Sequence, residues 1–474
     1  MTDILFICPF NKYKNFEDAP PLSMAGIASY THSKGFSVKI IDYAVESRTV
    51  KSLVSRYSPL IVCIEDFYRP STETRFESFR IAKEIKDQDP SIITVYEGTH
   101  ASFTSDETLT NIPYIDLIVR GEAEETILEL AQYFLRKKGQ LKKIKGISYK
   151  KDSQVMNNPS GPSSKNLDKY KIDYNLIDIT KYSELHNNST AILLTSRGCE
   201  YKCSFCIGTR TWKSFAKRSV KSVVDEIEFL LNKYRYRRFK FFDSNLTMSS
   251  DYIKSICNEI NKRNLDIQWD CRSRADSMNS GILTLMKSAG CRKISFGIES
   301  ASQRILNRIG KNITLQQADD ALKNLRKLGI KSKVFFIYGL PGETFKDALQ
   351  TYRFIRLNKS RITKASAEIC YIYPGTPVET FSRQNRILPL DFSWSSYFYK
   401  PNLRKDFNTN PHVPLLIQPS LNYNQLKQIF EETYKEISYS TLKRKISDVG
   451  TSKGTFYSLK SLGRSALFRL KYGV

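Results

Sequence analysis

Three cysteines lie close together near the middle of the chain, in the stretch LLTSRGCEYKCSFC. Three residues separate Cys199 from Cys203, and two separate Cys203 from Cys206. Thiolates are soft ligands that bind iron–sulfur clusters well, and a loop this short can wrap three of them around one cubic cluster. Since such a cluster has one more iron than the loop has thiolates, one iron is open to a small chelating molecule.

A zinc site, or three unrelated cysteines, is the alternative interpretation of this loop. Structural zinc normally takes four protein ligands. No other Cys or His lies beside the loop to complete such a set, because His186 precedes the adjacent strand and Cys257, Cys271 and Cys291 belong to later elements. The spacing therefore favours an iron–sulfur cluster.

The composition is that of a globular chain with more than one core. Its 474 residues are 41% hydrophobic and 12% aromatic, and single cores stop growing near ~250–300 residues. The first residues, MTDILFICPF, enter a strand-like segment without the features of a signal peptide. We therefore expect a soluble, cytoplasmic protein, where clustered cysteines bind metal more often than they form disulfides.

The charge is strongly positive, with 74 Lys and Arg against 48 Asp and Glu and a net charge of +26. Such an excess is typical of proteins that bind nucleic acid, an acidic lipid surface or an anionic substrate. The basic residues are scattered along most of the chain, which favours solvated faces over one binding stripe. No specific nucleic acid partner is expected.

Residues 1–150 alternate between strand and helix patterns, which predicts a Rossmann-like, mostly parallel sheet with ligands beyond the carboxyl ends of its strands. The predicted strands are Asp3–Cys8, Ser37–Asp42, Leu60–Ile64, Ile92–Tyr96 and Leu117–Arg120. The predicted helices are Met24–Lys34, Thr72–Lys86 and Glu124–Lys137. Residues 151–188, which include NNPSGPSSKN, are polar and are interpreted as a linker.

A second alternation over residues 189–380 predicts an open, partial (β/α)6 barrel, in which catalytic groups gather at the carboxyl ends of the strands. Its six predicted strands are Ala191–Ser196, Phe239–Phe242, Ile267–Arg272, Lys293–Gly297, Ser332–Tyr338 and Ser366–Tyr371. Residues 381–474 form a basic, aromatic-rich segment that is predicted to be mainly helical. The fold class is therefore α/β, with two α/β domains before a helical end.

The barrel region resembles the radical SAM superfamily, whose hallmark is a loop with this cysteine spacing and an aromatic residue, here Phe205, before the last cysteine. The resemblance extends over residues 190–377. Four further strings match the family in the right order: FFDSNLT at 241–247, FGIES at 296–300, FFIYGLPGET at 335–344 and YPGTP at 373–377.

The resemblance implies that Cys199, Cys203 and Cys206 hold a 4Fe-4S cluster whose open iron binds S-adenosylmethionine (SAM). An electron from a donor such as flavodoxin or ferredoxin then cleaves SAM, and the resulting 5'-deoxyadenosyl radical takes a hydrogen atom from the substrate. The implied cofactor contacts are Phe205, Asp243, Arg272, Arg274, Glu299, Ser300 and Tyr338. For Glu299 a helix-starting acid, and for the two arginines a structural salt bridge, are the alternatives.

The N-terminal region resembles the cobalamin-binding domain of class B radical SAM methyltransferases and related cyclases. The supporting segments are APPLSMAGIASYTHSKGFSVKIIDY at 19–43, YEGTHAS at 96–102 and DLIVRGEAEETILEL at 116–130. The resemblance implies corrin contacts at Gly98, Thr99, Ser102, Gly121 and Glu122. A vestigial or docking domain without cobalamin is the alternative.

This region departs from the family pattern at two places. The loop PFNKYKN has no histidine to bind cobalt, and Glu97 stands where the family usually has a glycine. His100 is interpreted as a polar loop residue. Methylthiotransferases also have two such domains, but they need three further N-terminal cysteines, and only Cys8 and Cys63 are present.

The chain is thus predicted to be a cobalamin-dependent radical SAM enzyme that methylates an unactivated carbon of a small-molecule or peptide intermediate. A radical SAM cyclase, oxidase or rearrangement enzyme is the first alternative, and a basic nucleic-acid-binding protein with a structural cluster is the second. At the C-terminus, one basic, amphipathic face predicts either peripheral membrane or substrate contact, or a helix packed on the barrel. Its apolar residues are Leu459, Leu462, Leu467 and Leu470.

Overall fold

Two parallel sheets follow one another along the chain, each built from strands that alternate with helices. The computed structural model describes residues 2–9, 20–66, 72–184, 190–212, 214–449, 468 and 472. The strands are β1 Ile4–Cys8, β2 Val38–Asp42, β3 Ile61–Asp66, β4 Ile93–Gly98, β5 Leu117–Val119, β6 Ile147–Lys151, β7 Gln154–Asn157, β8 Thr190–Leu193, β9 Ser196–Arg197, β10 Ala216–Lys217, β11 Arg238–Phe241, β12 Gln268–Ser273, β13 Cys291–Glu299, β14 Lys331–Tyr338 and β15 Lys364–Ile369.

The helices run between these strands and cover both sheets. They are α1 Leu22–Ser33, α2 Val50–Tyr57, α3 Thr72–Gln88, α4 Thr99–Phe103, α5 Ser105–Asn111, α6 Glu124–Arg136, α7 Thr180–Glu184, α8 Gly208–Thr211, α9 Val220–Tyr234, α10 Ser250–Lys262, α11 Ser280–Ser288, α12 Gln303–Arg308, α13 Leu315–Lys327, α14 Phe345–Asn358, α15 Pro377–Gln384, α16 Pro401–Phe407 and α17 Tyr423–Val449.

The N-terminal sheet has the order β2-β1-β3-β4-β5-β6-β7, and its first five strands pair in parallel. Every residue of β1 and β3 is buried, as expected of parallel strands covered by helices on both faces. The predicted Rossmann-like domain is confirmed. The carboxyl ends of β3 and β4 lie side by side, with Asp66 in register with Gly98.

The interpretation of residues 151–188 as a linker is corrected by the structure. Strand β7 pairs antiparallel with β6 and extends the N-terminal sheet beyond residue 150. Farther along, Tyr170 and Tyr174 are buried, and Tyr170 packs edge-on against Tyr30 of α1 at 5.0 Å. These aromatic side chains draw the segment into the main hydrophobic core despite its polar composition.

The second sheet contains six parallel strands in the order β15-β14-β13-β12-β11-β8, which confirms the partial barrel. Alternate side chains, such as Phe239, Trp269 and Phe296, are buried on the helix-covered outer side. Because successive strand residues point to opposite faces, the residues between them line the inner face. The cysteine loop leaves the carboxyl end of this sheet after β8 and β9.

The described part of the segment after the barrel is mainly helical, as predicted. Helices α15, α16 and α17 are present, but residues 385–400 and 408–422 form no helix or strand. Phe468 packs edge-on against Tyr352 of α14 at 5.6 Å, so this part of the C-terminal end contacts the barrel. The predicted amphipathic face at Leu459, Leu462, Leu467 and Leu470 lies outside the described residues.

None of the helices in the described part of the chain combines the length and apolar character needed to cross a bilayer.

Candidate functional site: a cysteine loop facing the N-terminal sheet

The cysteine loop is held by backbone contacts that leave its thiols available. Cys203 is buried, Cys199 and Cys206 are half-buried, and all three are free thiols. Ser204 N donates a hydrogen bond to Ile309 O at 2.9 Å, and Cys203 Sγ lies 3.8 Å from Gly310 O. Three thiols on one anchored loop are a donor set that fits a 4Fe-4S cluster with one open iron.

Arg274 fastens this loop to the rest of the barrel. Its guanidinium lies 3.4 Å from the ring centre of Tyr201, a loop residue, and pairs with Asp276 at 3.0 Å. It also donates to Lys311 O at 2.5 Å, and the residue is only 5% exposed. These contacts favour a positioning role for Arg274, and its predicted contact with SAM stays a prediction.

A buried ion pair lies beside the loop. Lys311 Nζ donates to Glu299 Oε1 at 2.8 Å, and both side chains are less than a tenth exposed. Glu299 has φ of +69°, a left-handed conformation that strains a residue with a side chain. Its carboxylate folds back over Gly297, where a Cβ atom would come within 1.8 Å of Oε1. A side chain at position 297 would therefore displace the Glu299 carboxylate from this place.

The surroundings of the thiols are electropositive. Burial raises the pKa of Cys199, whereas the nearby Arg274 and Lys311 charges favour its thiolate. Burial would lower the pKa of Lys311, but the Glu299 carboxylate and the Cys203 side chain raise it overall. Lys311 is therefore a charged group that offsets negative charge on cluster thiolates.

Two other predicted SAM contacts, Asp243 and Ser300, are engaged by the chain itself. Asp243 is 1% exposed and accepts hydrogen bonds from Thr195 and Ser196, which lead into the cysteine loop. Ser300 is fully buried and accepts a hydrogen bond from the backbone N–H of Ser302. These contacts favour positioning roles, and direct binding of SAM by either residue stays a prediction.

Tyr338 is oriented away from the inner face of the barrel. Strand alternation puts Ile337 inward and Tyr338 in the outer core, where its hydroxyl lies 2.7 Å from Thr433 Oγ1 of α17. A side-chain contact between Tyr338 and a cofactor at the inner face is therefore not supported.

Arg272, by contrast, lies on the inner face and stacks on Phe242 at 4.3 Å. Phe205 is half-buried and packs against the main core.

The turn after β14 is held by a buried carboxyl group, Glu343, which sequence reasoning missed. Its Oε2 accepts hydrogen bonds from Gly339 N at 2.6 Å and from Leu340 N at 3.2 Å. Burial raises the pKa of Glu343 from its ordinary 4.5 to about 8. Gly339 has φ of +79°, and a Cβ there would lie 2.8 Å from Leu416 O, so this turn requires glycine.

At the carboxyl edge of the N-terminal sheet, hydrogen bonds bring the predicted corrin contacts together. Ser102 Oγ donates to Gly98 O at 2.6 Å and accepts from Gly121 N at 3.0 Å. Thr99 begins α4 in the same region and is buried. Gly121 has φ of +85°, and a Cβ there would meet no atom within 4 Å. This open edge, lined by backbone and one hydroxyl, fits a flat ring system.

Beneath this edge lie buried acids. Glu97 is 5% exposed and in register with Glu65 on the neighbouring strand. Burial and the Glu65 charge raise the pKa of Glu97 well above its usual range. Its Oε1 has no hydrogen-bond partner within the described chain. Glu97 thus points into the core below the edge formed by Gly98, Thr99, Ser102 and Gly121, called here the corrin edge. The glutamate that replaces the usual glycine of the family is accommodated there.

His100 lies in α4, and not in a loop as predicted. It is 1% exposed, its Nε2 is 2.9 Å from Arg75 Nη1, and Trp394 packs edge-on against its ring. Burial and then the Arg75 charge lower the pKa of His100 well below its usual range. The imidazole is therefore a neutral, buried group.

Arg197 joins the two halves of the site and was not identified from the sequence. It lies two residues before Cys199, and its guanidinium pairs with Glu124 and lies 3.7 Å from Glu122. Glu122, a predicted corrin contact, is thus held beside the cysteine loop. The aromatic ring of Trp212 covers Arg197 at 5.3 Å. The only sign of this role in the sequence is that a basic residue lies two positions before the first cysteine of the motif.

Comparisons with known proteins agree with this layout. The model of the radical SAM superfamily matches residues 193–355, and the model of the B12 binding domain matches residues 15–131. An uncharacterized methyltransferase of Pyrococcus horikoshii is 34% identical over 383 residues, which are 80% of this chain and 81% of the relative. An anaerobic magnesium-protoporphyrin IX monomethyl ester cyclase of Rubrivivax gelatinosus is 30% identical over 366 residues, 74% of this chain and 65% of that protein.

Solved structures share the fold. The radical S-adenosylmethionine methyltransferase TsrM from Kitasatospora setae, solved with cobalamin and a [4Fe-4S] cluster, matches with a TM-score of 0.70 and 19% identity. The match covers 80% of this chain and 77% of that one. The cobalamin-dependent S-adenosylmethionine radical enzyme OxsB, solved in its apo form, matches with a TM-score of 0.71 and 18% identity, covering 100% and 71% of the two chains.

The two sheets, the cysteine loop and the open edge define a cobalamin-dependent radical SAM enzyme. The chain belongs to the radical SAM superfamily and carries a B12 binding domain ahead of its radical SAM domain. Its cofactors are a 4Fe-4S cluster, SAM and cobalamin, as the family implies.

Replacing Cys203 with alanine should abolish cluster binding, because two thiolates cannot hold the cube stably. Iron content and visible absorbance of anaerobically reconstituted protein should fall to background, and reductive formation of 5'-deoxyadenosine should be lost. Cys257→Ala, a buried cysteine of α10 outside the loop, is the matched control and should retain both. Full iron content in the Cys203 variant would refute the ligand assignment.

Replacing Lys311 with methionine should destabilise the protein by about 3–5 kcal/mol, because it leaves Glu299 buried without its partner. Anaerobic denaturant unfolding of the cluster-loaded protein measures this change. The double variant Lys311→Met/Glu299→Gln should recover part of the loss, since it removes both charges. A double variant less stable than the single one would contradict the ion-pair account.

Replacing Glu343 with glutamine should flatten the pH dependence of stability. The folded chain keeps a proton on Glu343 up to about pH 8, whereas the unfolded chain releases it near 4.5. The free energy of unfolding should therefore fall as pH rises between these values. Glutamine mimics the neutral acid, so thermal unfolding midpoints measured from pH 5 to 8 should vary less in Glu343→Gln. An unchanged slope would count against this assignment.

Proposed function

We propose that this enzyme transfers a methyl group to an unactivated carbon of a small-molecule or peptide intermediate in a biosynthetic pathway. Two SAM molecules are consumed: one provides the methyl group, and the other provides the 5'-deoxyadenosyl group that receives the substrate's hydrogen atom. A carbon–hydrogen bond of the substrate is thereby replaced by a carbon–methyl bond. An electron donor such as flavodoxin or ferredoxin supplies two electrons per methylation, and S-adenosylhomocysteine, methionine and 5'-deoxyadenosine leave with the methylated product.

The position of Arg197 carries this proposal. Its ion pairs with Glu122 and Glu124 hold the corrin edge against the loop that begins at Cys199. Radical methylation requires a methyl donor and a hydrogen-abstracting group close to the same substrate carbon, since reacting atoms must approach within about 3–3.5 Å. A protein that had only the cluster site or only the corrin site would gain nothing from ion pairs that hold the two together.

Residues of this chain bind, orient and shield the reactants in this scheme. When bound, the reduced cluster supplies the electron for SAM cleavage, and cobalamin relays the methyl group. Cys199, Cys203 and Cys206 hold the cluster, while Arg274 and Lys311 fix the loop and balance its charge. Gly98, Thr99, Ser102, Gly121 and Glu122 line the edge proposed to hold the corrin.

Aromatic side chains close the side of the N-terminal domain that faces the C-terminal segment. Trp394 covers His100, and Asn111 of α5 donates to Ser395 Oγ at 2.7 Å. Gly375 packs directly on the ring of Phe103, so a Cβ there would clash at 2.2 Å. Close contacts of this kind favour exclusion of water from the domain interface, which would protect reactive radicals from quenching.

A cyclase, oxidase or rearrangement enzyme without net methylation is the second candidate. The similarity to the Rubrivivax gelatinosus cyclase supports this second candidate, because that relative shares 30% identity with this chain. Both candidates share the cluster, SAM and the N-terminal domain, and they differ in whether a methyl group appears in the product. Nucleic acid binding with a structural cluster is the remote alternative, and it predicts no reductive SAM cleavage.

Incubating the reduced, cobalamin-loaded enzyme with a candidate substrate and methyl-deuterated SAM should transfer the deuterated methyl group to the product. Mass spectrometry of the product measures the label, and 5'-deoxyadenosine is quantified in the same sample. Cys203→Ala is the negative control for both. A substrate-dependent product formed with 5'-deoxyadenosine but without label would replace methylation with the second candidate.

A further inference from the structure

Cationic side chains are concentrated on the inner face of the barrel sheet. This group, called here the cationic floor, consists of Lys240, Arg272, Lys293, Lys333 and Lys364. Strand register brings its members together. Lys240 of β11 and Lys293 of β13 are both in register with Asp270 of β12, and Lys333 of β14 is in register with Lys364 of β15. The intervening residues, such as Phe239 and Val334, are buried on the outer side.

Within the part of the chain that the structure describes, the positive charge of the floor exceeds the negative charge around it. Its acidic neighbours there include Asp270, which pairs with Lys293 at 2.5 Å, and Glu368 on β15. Burial lowers the pKa of Lys240 to about 8; the Asp270 charge opposes this shift, and the neighbouring cations add to it. Burial and the charges of Lys364, Lys293 and Arg272 also lower the pKa of Lys333. Clustered like charges cost free energy that a bound anion would offset.

The floor remains open to a ligand. Lys293 has a side chain that is 39% exposed, and Lys240, Arg272 and Lys333 are half-buried. Arg272 stacks on Phe242 at 4.3 Å, and Lys333 lies 5.0 Å from the ring of Phe335. The rings orient these cations along the inner face, where a molecule inside the barrel meets them.

The lysines of the floor lie too deep to serve SAM itself, whereas Arg272 lies two residues before Arg274, and its predicted SAM contact stays a prediction. Lys293 precedes Glu299 by six residues on β13, a rise of roughly 20 Å at the ordinary strand spacing. The cysteine loop, where SAM binds the open iron, has its own cations in Arg274 and Lys311. Between the two levels the inner face carries the uncharged Gly297, Phe335 and Ser366, in neighbouring register positions.

We propose that the cationic floor binds a phosphate or carboxylate group of the small-molecule substrate. This inference rests on the proposed function, and it names the substrate class of that site. The anionic group lies against Lys240, Lys293 and Lys333, and the uncharged part of the substrate extends past Phe335 toward the cysteine loop. The floor thereby sets which carbon lies within reach of the radical.

Pyrophosphate and citrate serve as probes, for phosphate and carboxylate groups respectively, in titration calorimetry with cluster-loaded enzyme. The double variant Lys293→Met/Lys333→Met should bind the preferred probe at least about tenfold more weakly, since charged hydrogen bonds contribute about 1.5–3 kcal/mol each. Lys254→Met, which removes an exposed lysine of α10 paired with Asp251, should bind as the wild type does. Lys333→Arg keeps the charge and should retain binding.

The outcomes separate this inference from the proposed function. Reductive formation of 5'-deoxyadenosine without substrate should be unchanged in the double variant, which shows that the fold and cluster are intact. Probe affinity within twofold of wild type in that variant, or no binding by wild type, overturns the inference while leaving methyl transfer untouched. A single-stranded RNA oligonucleotide that binds more tightly than either probe and depends on the same lysines would overturn the small-molecule assignment.

Discussion

One buried guanidinium ties the cysteine loop to the N-terminal domain. Arg197 ends β9, the last strand before the cysteine loop, and it pairs with Glu124 in the first turn of α6, whose side chain is 3% exposed. Removing either partner would leave an uncompensated charge at the domain boundary, which is far more costly than losing a surface pair. The loop and the corrin edge are therefore fixed relative to one another by the fold.

Charge is handled oppositely on the two sides of this boundary. On the barrel side, Arg274 and Lys311 stay charged beside thiols that must become thiolates. On the N-terminal side, burial raises the pKa of Glu97 and lowers the pKa of His100, which favours the neutral form of each. A cluster with anionic ligands needs compensating cations, whereas a neutral interior suits a large ring whose contacts are mostly shape and hydrogen bonds. The two environments match the chemistry of the two cofactors.

Much of this architecture was predictable because the signals are local. The cysteine spacing, the six barrel strands and the parallel N-terminal strands all come from patterns within a few residues. The sequence did not predict the pairing of β6 with β7, because short polar strands look like connectors. It also missed α2, which is only a short helix begun by Thr49. Tyr338 was misplaced because the motif gave its position but not which face of β14 it occupies.

The missed site residues all act through contacts distant in sequence. Arg197 meets Glu124 across 73 positions, and Lys311 follows Glu299 by 12. Their side chains carry no motif, so only the folded chain brings each to its partner. Glu343 was visible in the string FFIYGLPGET, but its burial, and hence its raised pKa, depends on packing by segments far along the chain, such as the one that holds Gln418.

The central claim is that one chain holds a cluster and a corrinoid side by side. It is tested most directly by reconstituting the anaerobic protein with iron, sulfide and hydroxocobalamin, removing unbound cofactor by gel filtration, and quantifying iron and corrinoid in the same fraction. The account predicts that both are retained, with corrinoid in stoichiometric proportion to cluster. Full iron content with corrinoid at background level would contradict it.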